Sequence, residues 1–378
     1  MITGSISQLP DSVRDSTAMR FSSHELLIDR DKLDAVQKAE LERMAFQHAC
    51  VPESYDIAVS AGHLLQTKCG QGIASVLADG RFWHIAGGLL AAEPAKADMI
   101  QWLYELSVNQ RKTIAVYNVS ELEAATFKAA GFVVNKFGEE PVVDLPGGNW
   151  NGKPFEWVRR QANFCERAGL AFSEVTEAGN DRPIAGTLLE IMHEDLQDRT
   201  FSQPLRLLEG QFNPFLLQRR RLFLATAASG RVEGFLACSP INGGHSWAFE
   251  TYRKRKDATR GTTAYLFKSA MDTLRAEGVE TVSLCLVPGR RVGLSSLGAG
   301  DWRIQKSLSL WYERLEFVFN AKGQDHFKSR FRPRYEDRYL CVAPANSVRS
   351  LWSFLKTTGA TQPSWKNLAS QFWKSVRG

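Results

Sequence analysis

Between Phe327 and Leu340 the chain sets five fixed cations, Lys328, Arg330, Arg332, Arg334 and Arg338, against two acids, Glu336 and Asp337. Phe327, Phe331, Tyr335 and Tyr339 are interleaved with them. The first four cations fall at alternate positions, and alternate residues of an extended chain share a face. This spacing, with Pro333 inside it, predicts a strand and not a helix. A face of that kind can hold phosphates, because arginine offers a planar fork of donors and lysine a mobile point charge. The same pattern also suits a solvated edge strand whose cations discourage aggregation.

The rest of the chain narrows the chemistry. It holds no Gly-x-Ser-x-Gly elbow and no cysteine with an obvious histidine partner, so a covalent nucleophile is not expected. The six cysteines form no Cys-x-x-Cys pair and no cluster at metal-ligand spacing. Most sit in apolar runs such as Val282–Val287, which reads as reduced, buried thiols in a cytoplasmic protein. His245 and His326 stand alone, and a lone histidine is more often a surface or structural group than a general base.

With 378 residues, 44% hydrophobic and 23% charged, the composition is that of a globular protein, long enough for about two domains. The formal net charge is +6 and the sequence pI about 9.0. That charge is unevenly placed: after Asp337 no acid occurs, while Arg338, Arg349, Lys356, Lys366, Lys374 and Arg377 follow. An anionic partner near the C-terminal end, nucleic acid or anionic lipid, is expected. No apolar signal core opens the chain and no run of ~18 apolar residues interrupts it, so no membrane span is expected. The tail predicts an interfacial helix instead. Trp365, Leu368, Ala369, Phe372 and Val376 share one helical face, Trp373 lies beside it, and Lys366, Lys374 and Arg377 add charge. A helix folded back on the core would show the same face.

The elements that must position these residues come in a repeated order. After a polar segment over 1–30, Asp31 to Cys50 reads as a helix with Asp31 as its cap. Strands at 72–77 and 82–87 flank an Asp79-Gly80 hairpin turn. A helix at 96–109, a strand at 113–117 and a helix at 121–130 follow. Two strands, 132–136 and 141–145, then surround Gly138-Glu139-Glu140. Beyond a connecting segment over 151–180, with a helix at 155–167, the order recurs: a helix at 184–196, a hairpin at 221–239, and a strand at 246–251. A helix at 262–277, a strand at 281–287, a helix at 308–319 and the late cationic strand complete it. This order is that of the GCN5-related N-acetyltransferase (GNAT) fold. The expected architecture is therefore α+β, with two tandem GNAT-like units over 31–150 and 181–345, and a basic tail over 346–378.

Four stretches carry a family resemblance. Lys136-Phe-Gly-Glu-Glu-Pro-Val-Val-Asp-Leu145 is similar to K-x-G-E-E-A-x-V-D-L. The helix carrying Arg159, followed by Arg167-Ala-Gly-Leu170, resembles an inter-domain helix. Trp247 to Ala258, followed by Gly261, resembles W-x-x-D-x-x-R-R-x-x-D-A-P-x-G. Phe319-Asn320 and Phe327 to Tyr339 resemble F-N…(Y/F)-K-x-K-F-x-P-x-W-E-x-R-Y. Together, from about Ser54 to Val342, they resemble the soluble C-terminal domain of bacterial phosphatidylglycerol lysyltransferases, the multiple peptide resistance factor family.

The resemblance implies a transferase that moves an aminoacyl group from a charged tRNA onto a hydroxyl of a membrane lipid, usually phosphatidylglycerol. It implies no cofactor beyond aminoacyl-tRNA as co-substrate. Charged tRNA and anionic membrane lipid would be the partners, and the place of action the inner face of the cytoplasmic membrane. Relatives carry a membrane flippase ahead of this domain; this chain would make the lipid without flipping it. Glu250 would hold the aminoacyl amine or help deprotonate the acceptor hydroxyl. Arg253 and Lys328 would bind phosphate and polarise the carbonyl. Arg260, Ser283, Arg330, Arg332 and Arg338 would bind substrate, with Glu336 in structural support as the partner of Arg338 and Ser295-Ser296 as further lining.

Glu250 stands where the family has aspartate, Tyr335 where it has tryptophan, and Ala264 where it has an acid. The last change removes a negative group that a lysyl side chain would want, so a smaller or neutral aminoacyl group fits as well. An acyl-coenzyme A N-acetyltransferase is the first alternative, although the loop before the helix at 262 offers only Gly261 to a pyrophosphate. A non-catalytic tRNA- or membrane-binding module and a cell-wall peptide-bridge transferase are the others.

Overall fold

The structure is a computed structural model that describes residues 26–59, 62–175, 182–197, 199–201, 205–206, 212–215, 218–298, 300–314, 320–364 and 367. The amphipathic face at 365–376 lies outside these residues except for Asn367, as does the polar segment before residue 26.

The first half runs β1 (Leu27–Asp29), α1 (Ala35–His48), α2 (Asp56–Val59), β2 (His63–Gln66), β3 (Gly72–Asp79), β4 (Phe82–Ala91), α3 (Glu93–Asn109), β5 (Thr113–Ser120), α4 (Glu121–Ala129) and β6 (Val133–Asp144). The second runs α5 (Glu156–Arg167), β7 (Ala171–Glu174), α6 (Arg182–Gln197), β8 (Arg221–Thr226), β9 (Val232–Ile241), β10 (Ser246–Lys254), α7 (Thr262–Ala276), β11 (Thr281–Ser283) and β12 (Val287–Pro288). It closes with α8 (Trp302–Arg314), α9 (Ala321–Ser329), β13 (Arg334–Ala343) and α10 (Val348–Thr358).

All the strands join one sheet in the order β1-β2-β3-β4-β5-β13-β6-β11-β10-β9-β8-β7, with β12 paired to β6. From both edges inward, β1 to β5 match β7 to β11, and β13 and β6 meet at the centre. The two halves are thus related by a pseudo-twofold and have exchanged their last strands. β6, from the first half, pairs with β11 of the second, while β13 pairs with β5 of the first. Each half keeps the antiparallel strands, parallel pair and crossover helix of a GNAT-like unit. A division at residues 150 and 345 therefore follows the chain but cuts across the sheet.

Local chemistry explains most boundaries. Asp34, not Asp31, caps α1: it accepts from Gln37 N while the Gln37 side chain takes the Asp34 N–H, a reciprocal capping box. The hairpin at Asp79 forms as expected, with Asp79 opposite Phe82. α5 buries Val158, Ala162 and Cys165, at helical spacing, against the α7 core around Phe267 and Met271.

Two expectations fail for tertiary reasons. The pair of strands at 132–145 is one continuous strand, because β13 supplies a ladder across the Gly138-Glu139-Glu140 break, with Glu336, Asp337 and Arg338 opposite Glu140, Glu139 and Gly138. The cationic stretch is not one extended face. Phe327 to Ser329 finish α9, Arg332 takes a left-handed φ of 54°, and the strand begins only at Arg334. Pro333 separates helix from strand instead of interrupting a strand.

The β6–β13 seam carries a dense buried ion network. Lys136 Nζ lies 2.9 Å from Glu139 and 2.6 Å from Asp337. Glu140 accepts from Arg338 Nε at 2.7 Å and from the Ser283 hydroxyl of β11 at 2.5 Å. Removing one partner of such a pair leaves an uncompensated buried charge. Arg338→Ala is expected to destabilise the fold by about 3–5 kcal/mol, read as a lower denaturant midpoint, whereas Arg334→Ala, on an exposed pair, is expected to cost under about 1 kcal/mol.

Candidate functional site at the splayed parallel pair

β10 and β11 run parallel only from Ser246–Thr281 to Ala248–Ser283. Beyond that the two strands part. Phe249 pairs with Cys238 and Thr251 with Ala237, so Glu250 is the extra residue of a β-bulge. Past Ser283 the other strand leaves the ladder, and Cys285 adopts a left-handed φ of 65°. The gap is a cavity of about 80 Å³, lined by Glu250, Tyr252, Arg253, Leu284, Cys285 and Lys328. Glu53, Tyr117 and Asn118 of the first half, and Phe354 of α10, close it from the other side.

The three residues expected to be catalytic, Glu250, Arg253 and Lys328, meet in this cavity. The Glu250 side chain is 4% exposed and is held by Arg220 Nη2 at 3.2 Å and by the Ser239 hydroxyl. Arg220 also pairs with Asp56, so the two carboxylates share one guanidinium. Arg253 Nε lies 3.1 Å from Asp195. Lys328, 2% exposed, donates to the Cys285 carbonyl at 2.9 Å and the Leu286 carbonyl at 3.5 Å. Burial pulls its pKa below the ordinary lysine value, and nearby acidic groups oppose that pull. α9 is tied to the seam by Asp325, which accepts from Arg290 at 3.0 Å; Arg290 also pairs with Glu139. That link places the last turn of α9, and so Lys328, over the gap.

The residues expected to bind substrate do not line the cavity. Arg260 is exposed on the turn before α7. Ser283 and Arg338 are buried and committed to Glu140. Arg330 lies over the Trp157 ring, 5.7 Å from its centroid, and reaches His326 Nε2 at 2.9 Å. Arg332 points toward the Pro154 carbonyl at 3.4 Å. The common face assumed for the arginines required an extended chain, which α9 and Pro333 prevent. Glu336 does pair with Arg338, at 2.8 Å. Ser296 bonds Glu121 and Tyr339, away from the cavity. Ala264 packs in the α7 core, so an acid missing there takes no charge from the cavity.

Sequence reasoning missed the contribution of the first half. Glu53 sits on a 3-10 turn, Pro52–Tyr55, and accepts from Asn118 Nδ2 at 2.6 Å. The turn reaches the cavity because β4 bulges at Gly87, whose φ is 79°; a Cβ there would stand 2.7 Å from the Glu53 carbonyl oxygen. Burial pushes the Glu53 carboxyl up to about 7, with the negative charges of Glu140 and Glu250 adding to the effect. Asn118 has a φ of 58° two residues past Val116, the last parallel partner in the first half. Cys285 stands two residues past Ser283, the last parallel partner in the second. The pseudo-twofold thus brings two left-handed residues to one cavity. An asparagine among the β-branched residues of β5 was the one available cue, since asparagine tolerates that conformation. Nothing local marked Glu53. Among the described residues, no group of three or more His, Cys, Asp or Glu side chains is placed to hold a metal ion.

Two exchanged GNAT-like units sharing a charged cavity at a splayed parallel pair define a tandem acyltransferase-fold protein. The sequence model described as phosphatidylglycerol lysyltransferase, C-terminal, matches residues 60–342, and the chain belongs to that family. It is 22% identical over 246 residues to a phosphatidylglycerol lysyltransferase of Bacillus subtilis, covering 65% of this chain and 28% of the relative. It is 24% identical over 238 residues to the lysylphosphatidylglycerol biosynthesis bifunctional protein LysX of Rhodococcus jostii, covering 60% and 20%. The chain therefore spans about a fifth to just over a quarter of the length of these relatives. Among solved structures it is similar to the C-terminal domain of a putative lysylphosphatidylglycerol synthetase from Agrobacterium fabrum, with a TM-score of 0.70, 20% identity, and 88% and 98% of the two chains covered. The structure of L-PGS from Bacillus licheniformis gives a TM-score of 0.69 at 18% identity, covering 85% and 96%. These likenesses agree with the tandem architecture expected from the order of elements.

The Glu53 environment gives a pH signature. Its folded pKa, about 7, lies above the ordinary value of 4.5. The stability tied to its protonated form is fully present below the ordinary value and is lost as pH rises through 7. Glu53→Gln, neutral throughout, is expected to gain stability relative to the parent between pH 5 and pH 8, by up to about 3 kcal/mol. Denaturant midpoints at both pH values check this; a constant difference would mean that Glu53 titrates normally.

Proposed function

We propose that this chain transfers an aminoacyl group from a charged tRNA to a hydroxyl of a phosphatidylglycerol-type lipid by transesterification. The observation that carries the reading is the convergence of Lys328, Arg253 and the anchored Glu250 on one cavity, in a chain of this family. The lipid hydroxyl attacks the ester carbonyl carbon. A new ester bond forms, the bond to the terminal ribose breaks, and the ribose oxygen leaves with a proton. The reaction exchanges one ester for another and balances without a cofactor.

A charge that develops on the carbonyl oxygen is best met by donors already in place. Lys328 is such a donor, buried and held by two backbone carbonyls. Arg253 stands on the adjoining strand, with Asp195 fixing its fork, and suits a phosphate of lipid or tRNA. Glu250, paired with Arg220, orients its neighbours and can pass the hydroxyl proton. The tRNA end and the lipid headgroup are both anionic, which fits the cationic side of the cavity and the basic C-terminal end. Among the described residues no helix is long and apolar enough to cross a membrane. Peripheral attachment at the inner face of the cytoplasmic membrane, through the basic tail, completes the proposal.

An acyl-coenzyme A transferase is disfavoured by the start of α7. The side chain of Gln161, from α5, would lie 2.9 Å from a Cβ placed on Gly261. α5 thus packs directly against the turn whose helix N-terminus a pyrophosphate would need.

Expression in a bacterial host that contains phosphatidylglycerol, followed by mass spectrometry of extracted lipids, tests the reading. The expected result is a new lipid heavier by one amino-acid residue, reduced about 100-fold or more by Lys328→Ala. Purified chain that turns over none of a panel of charged tRNAs with phosphatidylglycerol vesicles, or that instead releases free coenzyme A from an acyl donor, would sink it.

A further inference from the structure

The cavity charges are unequally provided for. Glu250 is paired with Arg220, Arg253 is paired with Asp195, and Lys328 is bonded to two carbonyls. Glu53 differs: among the described residues no cation lies within ion-pair distance of it, and its side-chain partner is the amide of Asn118. Asn118 is 3% exposed, and its Oδ1 is buried with no hydrogen-bond partner. Beside an ionised Glu53 the amide cannot be turned round to relieve this, because reversal would set oxygen against oxygen. The cavity therefore presents a carboxylate lacking a cation beside an amide oxygen lacking a donor. Both omissions are expensive in a buried place unless a ligand fills them.

We propose that Glu53 and Asn118 form the ammonium subsite of the cavity and hold the free α-amine of the aminoacyl group. This rests on the transferase reading above. An ammonium brings three N–H donors and a positive charge. The Glu53 carboxylate and Asn118 Oδ1 take two of the donors, and the charge supplies the missing counter-ion. The raised pKa of Glu53 is what a carboxylate shows before its cation arrives. Lys328 and Glu53 both line the cavity, and the negative charge of Glu53 is among those that oppose the lowering of the Lys328 pKa. With the amine at Glu53 and the carbonyl oxygen at Lys328, the α-carbon lies between them. The role expected of Glu250, holding the amine, passes to Glu53 because Glu250 already has a cation, Arg220, beside it.

The assignment to the α-amine follows from the count of uncommitted anions. Glu53 is the one lining carboxylate without a cation among the described residues, and every aminoacyl-tRNA carries an α-amine. A second ammonium on the side chain would meet Lys328, with no further lining carboxylate to hold it.

The test uses the purified full chain, phosphatidylglycerol vesicles, and alanyl-, lysyl- and N-acetyl-alanyl-tRNA. Glu53→Gln and Asn118→Ala are expected to raise the donor KM by about 10- to 100-fold, with a smaller change in kcat and unchanged circular dichroism. N-acetylation of the donor, which removes the ammonium, is expected to abolish the difference between parent and variants. A fall in kcat at constant KM would make Glu53 a proton acceptor and overturn the subsite. Loss confined to lysyl-tRNA would move the ammonium to the side chain and overturn the α-amine assignment. Calorimetry with alaninamide and N-acetyl-alaninamide gives a readout independent of transfer. Binding of the first alone, lost in Glu53→Gln, upholds the subsite even if no tRNA is turned over; equal binding of both overturns it even if transfer proceeds.

Discussion

The architecture depends on the seam where β13 inserts between β5 and β6. A strand from the end of the chain can enter the middle of a sheet only if its polar side chains are satisfied there. They are satisfied by reciprocal charge. Glu140 of β6 takes Arg338 of β13 on one oxygen and Ser283 of β11 on the other, while Lys136 lies between Glu139 and Asp337. Every element that shapes the cavity hangs from this seam. β11 ends there, α9 is tied to it through Asp325 and Arg290, and β5, carrying Asn118, pairs with β13 on its far side.

Buried ion networks of this kind contribute little net stability compared with apolar packing, because desolvation consumes most of the Coulombic gain. Their value here is register. Sliding β13 along β6 by one residue would part Arg338 from Glu140 and Asp337 from Lys136 and turn every side chain to the other face. The apolar cores reinforce that choice, since Tyr339, Cys341 and Ala343 of β13 enter the core of the first half and Val143 of β6 enters that of the second. The central cluster of Tyr117, Phe137, Leu340 and Phe354 then fills the space that the register defines, with Phe354 stacked on Tyr117 at 4.1 Å. α10 thereby becomes part of the cavity wall although it follows the stretch matched by the family model.

The pseudo-twofold also explains why the two splayed pairs do not give two equivalent clefts among the described residues. Each half has a splayed parallel pair, and so a potential cleft. In the first half the cleft beside β4 is occupied by the chain itself: the turn carrying Glu53 lies on Gly87, and Gly88 faces Cys50. In the second half the corresponding space beside β10 is left open. The segment that plugs the first cleft delivers its carboxylate to the second, so the cavity belongs to both halves.

Much of this was legible in the sequence. The alternation of hydrophobic residues, the Asp79-Gly80 turn and the order of helices and strands determined a tandem α+β fold, because such signals are local. Trp247 to Ala258 and Phe327 to Tyr339 marked Glu250, Arg253 and Lys328 by their resemblance to a family, and the three do meet. Tertiary structure alone decided which cations face the cavity. The alternating arginines promised a common face, but a strand period holds only where the backbone is extended, and α9 runs to Ser329. It alone decided that Gly138-Glu139-Glu140 continues a strand, since the ladder comes from residues nearly two hundred positions away. It alone brought Glu53 to Asn118. Glu53 carries no local signature and Asn118 only an asparagine's tolerance of a left-handed turn, and their meeting follows from a bulge in β4, a left-handed turn in β5 and the packing of one half of the chain against the other.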